Sequence, residues 1–403
     1  MFNNLIYAVG TQIPQKIRDY IAINNEKREK IYIVGNGWAS YYFTKYLDKS
    51  KFIPIIIAPN SKVLNTPKLV SRITDSNSNV EFENLYAEKI LDIVEDIDTN
   101  NKTLITKSGK EIFYSKVVFA IGAEPNDFGI PGVNEQTYKL KTIADADLLR
   151  KKIDLLHTDS KIYIVGSGVT GIELATNLTK INNICDYKSI NIKILDGLNE
   201  ILVGYNFETK QKIYNEICSS YPNIEIFLNS LVKSIVLNED KSIKLNYYNK
   251  TNNKNESFFL NTNPKYESDI IIWTGGVRFN GYERTKLFST LNKLVSIKIK
   301  PRGIDVKENF SLNLQLEGPD TIYCLGDMVS NAGPPTAQNA KNQGIWLAKY
   351  FNSDFNSEFA KSNPYAVSSD GKLVHLSDKV YLESEYYSGF IFKFVDKIIE
   401  LLN

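Results

Sequence analysis

The sequence predicts an α/β fold of two Rossmann-like, doubly wound dinucleotide-binding modules, the second inserted in the first. Three observations carry this. Lys30-Ile31-Tyr32-Ile33-Val34-Gly35 recurs letter for letter as Lys161-Ile162-Tyr163-Ile164-Val165-Gly166. Each copy runs from a β-branched and aromatic strand into a glycine turn and then a segment of helical spacing, the opening of a nucleotide-binding unit. Two later apolar runs, 116–123 and 269–276, end in small residues as central parallel strands do.

Composition sets the limits. The 403 residues suffice for two or three domains with buried cores. Against 48 Lys and Arg stand 46 Asp and Glu, and 43% of the residues are hydrophobic. That describes a globular chain without the charge signature of a nucleic-acid binder, so no nucleic acid is expected as partner. His157, His375, Cys185, Cys218 and Cys324 lie far apart, so a zinc cluster, a C-x-x-C pair and a disulfide framework are unsupported, and no metal site is expected. A chain so poor in catalytic side chains is either not an enzyme or one whose chemistry belongs to a bound cofactor. No apolar run approaches the roughly 18 residues of a membrane span, and residues 1–30 read as neither a secretory signal nor a transit peptide.

Taken in order, the first turn reads Gly35-Asn36-Gly37-Trp38-Ala39-Ser40, with Ser at the third glycine position of G-x-G-x-x-G. The first glycine makes the tight turn, the second lets a pyrophosphate approach the backbone, and the third lets helix and strand pack closely. Ser40 is therefore expected to loosen the packing slightly. The next strand ends in Ala58-Pro59-Asn60 without an acid, and Asn60 reads equally as an ordinary turn residue. The second turn, Gly166-Ser167-Gly168-Val169-Thr170-Gly171, is complete, and its next strand ends in Asp196. Asp196 is placed to grip a ribose 2′-hydroxyl and repel a 2′-phosphate, which favours NADH over NADPH; the plain alternative is a solvated loop carboxylate. Glu173 stands near the start of the following helix, where the helix dipole alone would explain a carboxylate. A further strand, 321–326, delivers Asp327 to the crevice at the carboxyl end of a parallel sheet, with Cys324 as a small core residue. After Pro334-Pro335, spacing predicts a helix over 336–350 whose N-terminal dipole favours negative charge placed before it. Gln338 and Gln343 on it are five positions apart, not the four that align best on one face, and otherwise read as surface amides.

These motifs together resemble the type II (alternative) NADH:quinone oxidoreductases, FAD-dependent members of the pyridine nucleotide-disulfide oxidoreductase-like superfamily. The resemblance rests on the first turn, Thr66-Pro67, Ala120-Ile121-Gly122-Ala123-Glu124-Pro125-Asn126 and Phe128-Gly129-Ile130-Pro131-Gly132. It rests further on Gly166 to Ala175, and most clearly on Gly326-Asp327 followed by Gly333-Pro334-Pro335-Thr336-Ala337-Gln338-Asn339-Ala340-Lys341-Asn342-Gln343-Gly344. It implies FAD in the first module, NADH as co-substrate in the second, and electrons passed to a membrane quinone without proton pumping. Gly35, Gly37 and Asp327 would hold FAD, and Gly168, Gly171 and Asp196 would hold NADH. Trp38, Ala39, Asn60, Gly122, Gly166, Gly275, Gly326 and Ala337 complete the expected cofactor-binding set. Glu173 would lie near nicotinamide and flavin, and Gln338 and Gln343 would border the quinone pocket.

The same reading divides the chain into an N-terminal extension (1–29), an FAD-binding domain in two parts (30–142 and 278–352) around an NADH-binding domain (143–277), and a C-terminal segment (353–403). Relatives that work through paired or single catalytic cysteines do not fit these scattered cysteines. A soluble flavin NADH oxidase of the apoptosis-inducing-factor type, or a degenerate binding protein that keeps the fold, stays open as an alternative. Residues 386–403 place Ile391, Phe394, Val395, Ile398 and Leu402 on one helical stripe, as an amphipathic helix on a membrane surface or one docked on protein would. The expected location is peripheral to a mitochondrial inner membrane or the cytoplasmic face of a cell membrane, or cytoplasmic if the tail does not bind lipid; a homodimer is compatible with it.

Overall fold

The computed structural model describes residues 28–353, apart from 86, 157–159, 180–189, 261, 264–265, 268 and 316–319, and the backbone of 373–376, 379–382 and 386–387. The chain forms two compact units: Met1–Leu64, Glu81–Glu124 and Arg278–Ser368 make the first, and Asn65–Val80, Pro125–Val277 and Ser369–Asn403 the second.

The first unit is built on a fully parallel sheet in the order Ile322–Cys324, Lys116–Phe119, Glu29–Val34, Phe52–Ala58, Glu88–Leu91. Strand order reverses at Glu29–Val34, the doubly wound arrangement that opens a crevice at the carboxyl ends. Ile31, Ile33, Val117, Val118, Phe119 and Cys324 are fully buried, because a parallel sheet is covered on both faces. Cys324 is thus a core residue, and burial pushes its thiol pKa up. The helices Trp38–Tyr46 and Ala337–Asn352 pack on each other. Their approach depends on Gly344, where a Cβ would lie 2.5 Å from the Ala39 carbonyl oxygen. An antiparallel meander, Val94–Asp98, Thr103–Thr106 and Glu111–Phe113, completes the unit.

The second unit repeats the plan with four parallel strands, Ile224–Phe227, Asn191–Leu195, Lys161–Val165 and Asp269–Trp273. A three-stranded antiparallel sheet, Ser230–Leu237, Ile243–Asn249 and Lys254–Leu260, supplies Val232, Ile235, Leu245 and Tyr247 to the same buried cluster as Tyr163 and Trp273. The main stretch of this unit starts at Pro125, whereas the sequence pattern places the boundary at 143, and the unit takes in Asn65–Val80. The helix Leu69–Thr74 in that segment is held by Arg150, which donates to the carbonyls of Ile73 and Thr74 at 2.7 and 3.0 Å, and by an Arg72–Asp147 pair at 2.7 Å. Those contacts join residues about 75 positions apart, which no local pattern announces.

The helix expected over 336–350 spans Ala337–Asn352, with Thr336 as its N-cap accepting from the Asn339 backbone. The amphipathic helix expected over 386–403 lies outside the described residues except at its start. There Tyr386–Tyr387 pair antiparallel with Val380–Tyr381, so a helix does not begin at Tyr386: the two tyrosines, good strand formers, take up ladder bonds instead. No helix among the described residues is long and apolar enough to cross a membrane.

Candidate functional site: two glycine turns and an amide-locked helix

Identical hexapeptides give nearly identical turns. Gly35 and Gly166 follow their strands with φ of +111° and +113°, a left-handed region that favours glycine. A Cβ on either would collide with the next strand's end, 2.2 Å from the Ala120 oxygen and 2.5 Å from the Thr274 oxygen. The second glycines differ from the first. A Cβ on Gly37 or Gly168 meets nothing within 4 Å, so the backbone N-terminal to each helix is open on the side where a phosphate would approach.

At the third position the structure corrects the expectation for Ser40. Its side chain is fully buried and its hydroxyl donates to the Gly35 carbonyl at 2.8 Å, so it fastens helix to turn instead of loosening it. In the second unit the same carbonyl, that of Gly166, is served by the Thr274 hydroxyl at 3.0 Å. Gly171 leaves room for this: a Cβ there would sit 2.0 Å from the Gly166 oxygen and 2.9 Å from Thr274 Oγ1.

The strand tips also differ. Asp196 Oδ2 accepts from both the backbone N–H and the hydroxyl of Ser167, each at 2.7 Å, while Oδ1 accepts from Leu198 N–H at 2.9 Å. The carboxylate is therefore oriented across the mouth of the second turn, and Ser167, the variable residue of G-x-G, sets that orientation. In the first unit Asn36 Nδ2 donates to the Asn60 carbonyl at 3.0 Å, which ties Asn60 to the turn through its backbone. Asn36 Oδ1 and Trp38 Nε1 are buried without a hydrogen-bond partner. An orphaned acceptor and donor beside an open glycine are what a polar ligand would satisfy. Gly122, at φ +71°, also faces open space, while Gly275 lies over the Trp273 ring, its would-be Cβ 3.0 Å away.

Asp327 stands in the short 3₁₀ turn Gly326–Met328 that follows the strand Ile322–Cys324. Gly326 brings Ala39 and the helix Ala337–Asn352 together, its would-be Cβ 3.1 Å from Ala39 Cβ and 3.8 Å from Ala340 Cβ. Ala337 opens that helix. Gln343 is buried and both ends of its amide are engaged: Oε1 accepts from Gly326 N–H at 2.7 Å and Nε2 donates to Ala332 O at 3.1 Å. Asn339, four residues earlier, donates to Ala332 O and Pro334 O at 2.7 and 2.9 Å. The amide that shares the face of Gln338 is Asn342, whose Oδ1 accepts from Gln338 Nε2 at 3.2 Å. The helix thus carries two amide pairs at the four-residue spacing, an inner lock of Asn339 and Gln343 and a second pair of Gln338 and Asn342. Gln338 and Gln343 do not share a face.

Beside this second pair, Lys341 and Lys45 hold their ammonium groups 5.3 and 5.9 Å from the centre of the Tyr42 ring. Burial lowers both lysine pKa values, and Lys45 lowers that of Lys341 further. In the second unit Glu173 is buried at the fifth position of the helix Val169–Leu178. It lies past the first turn, where the helix-dipole explanation is weak.

Residues 29–344 match the family described as pyridine nucleotide-disulphide oxidoreductase. Among curated proteins the chain is similar to the external alternative NADH-ubiquinone oxidoreductase, mitochondrial, of Yarrowia lipolytica, at 26% identity over 81% of this chain and 59% of that protein. It is similar to a probable NADH dehydrogenase of Dictyostelium discoideum at 25% identity over 91% of this chain and 83% of that protein. The chain spans about three fifths of the length of several such mitochondrial relatives. Among solved structures it shares the fold of NDH2 from Plasmodium falciparum in complex with NADH, with a TM-score of 0.73, 20% identity, and coverage of 93% of this chain and 95% of that one.

Proposed function

The chain belongs to the pyridine nucleotide-disulphide oxidoreductase family, and from that premise we propose that it is a flavin-dependent NADH:quinone oxidoreductase that does not pump protons. One observation carries the proposal most directly. A single chain holds two strand-to-glycine turns in two units, each with its second glycine open toward a ligand. That is the equipment for passing a hydride between two dinucleotides. The quinone end rests on relatives named as NADH-ubiquinone oxidoreductases.

FAD fits the first unit. Gly37 leaves space for its pyrophosphate, Asn36 and Trp38 offer unpartnered polar atoms, and Asp327 stands at the carboxyl end of a parallel strand in the crevice. When bound, FAD supplies a two-electron acceptor and donor between nicotinamide and quinone. The protein's part is positioning and electrostatics. Gln343 and Asn339 fix the start of the helix Ala337–Asn352, whose positive dipole end favours negative charge placed before it. Gln338 and Asn342 present amides that can donate to a carbonyl oxygen, and the Lys341 ammonium, held over the Tyr42 ring, adds positive charge beside them. In the second unit Ser167 aims Asp196, which accepts from ribose hydroxyls and repels a 2′-phosphate, and Glu173 serves near the nicotinamide. The relatives named mitochondrial support a location peripheral to a membrane that holds quinone.

The visible spectrum of the purified protein tests this. It should be yellow, bleach with NADH under anaerobic conditions, and regain colour on adding a water-soluble quinone. A colourless preparation that cannot be reconstituted with FAD would refute the proposal. Bleaching followed by reoxidation with oxygen but not quinone would favour the oxidase alternative.

A further inference from the structure

Between Glu283 and Asp305 the chain carries six cations, Arg284, Lys286, Lys293, Lys298, Lys300 and Arg302, and no carboxylate. Arg284 pairs with Glu124 and Lys286 with Asp96. The other four make no ion pair among the described residues. Ser296, Ile297, Lys298, Lys300, Pro301 and Arg302 are all exposed, while Ile299 is buried and anchors the segment. Ile297, 47% exposed, stands among these charges.

The segment is held rigidly. Lys300 and Gly303 exchange backbone hydrogen bonds of 3.2 and 2.9 Å, which puts Pro301 and Arg302 at the tip of a tight turn. Gly303 packs so closely on the following loop that a Cβ there would lie 2.4 Å from the Met328 oxygen, and Ile304 N–H donates to that same oxygen at 2.9 Å. Arg302 donates to Gly333 O at 3.0 Å. The basic turn is therefore braced on residues 328–333, the stretch between Asp327 and the capped start of the helix Ala337–Asn352.

We propose that the turn 296–302, with Lys293 behind it, is a basic footing through which this protein rests on the phosphate headgroups of an anionic lipid bilayer. Cations without a carboxylate partner around an exposed aliphatic side chain match headgroup phosphates above an acyl boundary. A nucleic acid or an acidic peptide would answer the charges and leave Ile297 without a role. The purpose of the footing rests on the quinone reading, since it would hold the amide-bearing helix start beside the lipid that carries a quinone. The binding itself does not rest on it.

The test is co-sedimentation of the full chain with vesicles of phosphatidylcholine alone and with one third phosphatidylglycerol added. The double variant Lys298→Glu/Lys300→Glu is compared with wild type and with Lys107→Glu/Lys110→Glu, an equal charge change on the exposed meander. Each cation near an anionic surface contributes on the order of fivefold in affinity, so the footing variant should bind anionic vesicles at least about tenfold more weakly, with the control close to wild type. Its reduction of a water-soluble quinone should equal wild type, which also reports that it folds. Wild type that does not sediment with anionic vesicles, a footing variant that binds as wild type does, or a control that weakens binding equally would each overturn the proposal. If the quinone reading alone is wrong, soluble-quinone reduction is absent from every variant while the vesicle difference persists.

Discussion

The two glycine turns start from the same six residues and place their leading glycines at nearly the same φ, yet the hydrogen bond to the leading glycine's carbonyl comes from the helix in one and from the neighbouring strand end in the other. In the first unit the donor to the leading glycine's carbonyl is Ser40, on the helix, and the facing strand end is Ala120. In the second the donor is Thr274, on the facing strand end, and the helix position is Gly171. Each leading carbonyl keeps a hydroxyl donor while the source of that donor moves from one element to another. The difference teaches that a missing third glycine is a relocation of a hydrogen bond, and that Ser40 is no mark of a decayed site.

The strongest way to break this comparison is to move the first unit's residue into the second. Gly171→Ser would drive a Cβ against the Gly166 oxygen and Thr274 Oγ1 and should cost about 3 kcal/mol, read as a lowered denaturation midpoint; a variant as stable as wild type would contradict the packing described. Next in size is the amide lock. Gln343→Leu leaves the buried Gly326 N–H without its acceptor, an expected loss of about 2 kcal/mol together with weakened flavin retention on gel filtration. Smaller effects sharpen the comparison. Ser40→Gly and Thr274→Val should each cost about 1 kcal/mol by chemical denaturation, and Ser40→Gly/Ala120→Thr, which rebuilds the second unit's arrangement in the first, should recover much of that loss. Least visible in stability is Asp196→Ser. It should lower the ratio of kcat/KM for NADH over NADPH by about tenfold, the worth of one charged hydrogen bond, and an unchanged ratio would remove Asp196 from nucleotide selection.

Much of this was legible in the sequence because it is local. A strand, a glycine turn and a helix are contiguous, so Gly35, Gly37, Gly166, Gly168 and Gly171 could be placed by pattern, and continuous apolar runs marked the parallel strands. What was not legible depends on distant partners. Gln343 reads as one of two pocket amides, and only the fold reveals that Gly326 and Ala332 occupy it. The four-residue spacing of Gln338 and Asn342 was the available signal for the pair that shares a face. Ser167 gave no signal as the residue that aims Asp196, because its neighbour in space lies 29 positions away. The same holds for Asn65–Val80, whose place in the second unit is fixed by Arg150 and Asp147.

The central claim is that the two open glycines divide two dinucleotides between the units, and matched valine substitutions test it most directly. Gly37 and Gly168 have extended backbones that any residue adopts, and a Cβ on either meets no protein atom, so Val there should fill ligand space without disturbing the fold. The decisive measurement is the visible spectrum of each variant before and after anaerobic NADH. Gly37→Val should be colourless, whereas Gly168→Val should be as yellow as wild type and fail to bleach. A Gly168→Val protein that loses its flavin, or bleaches with NADH as wild type does, would contradict the account.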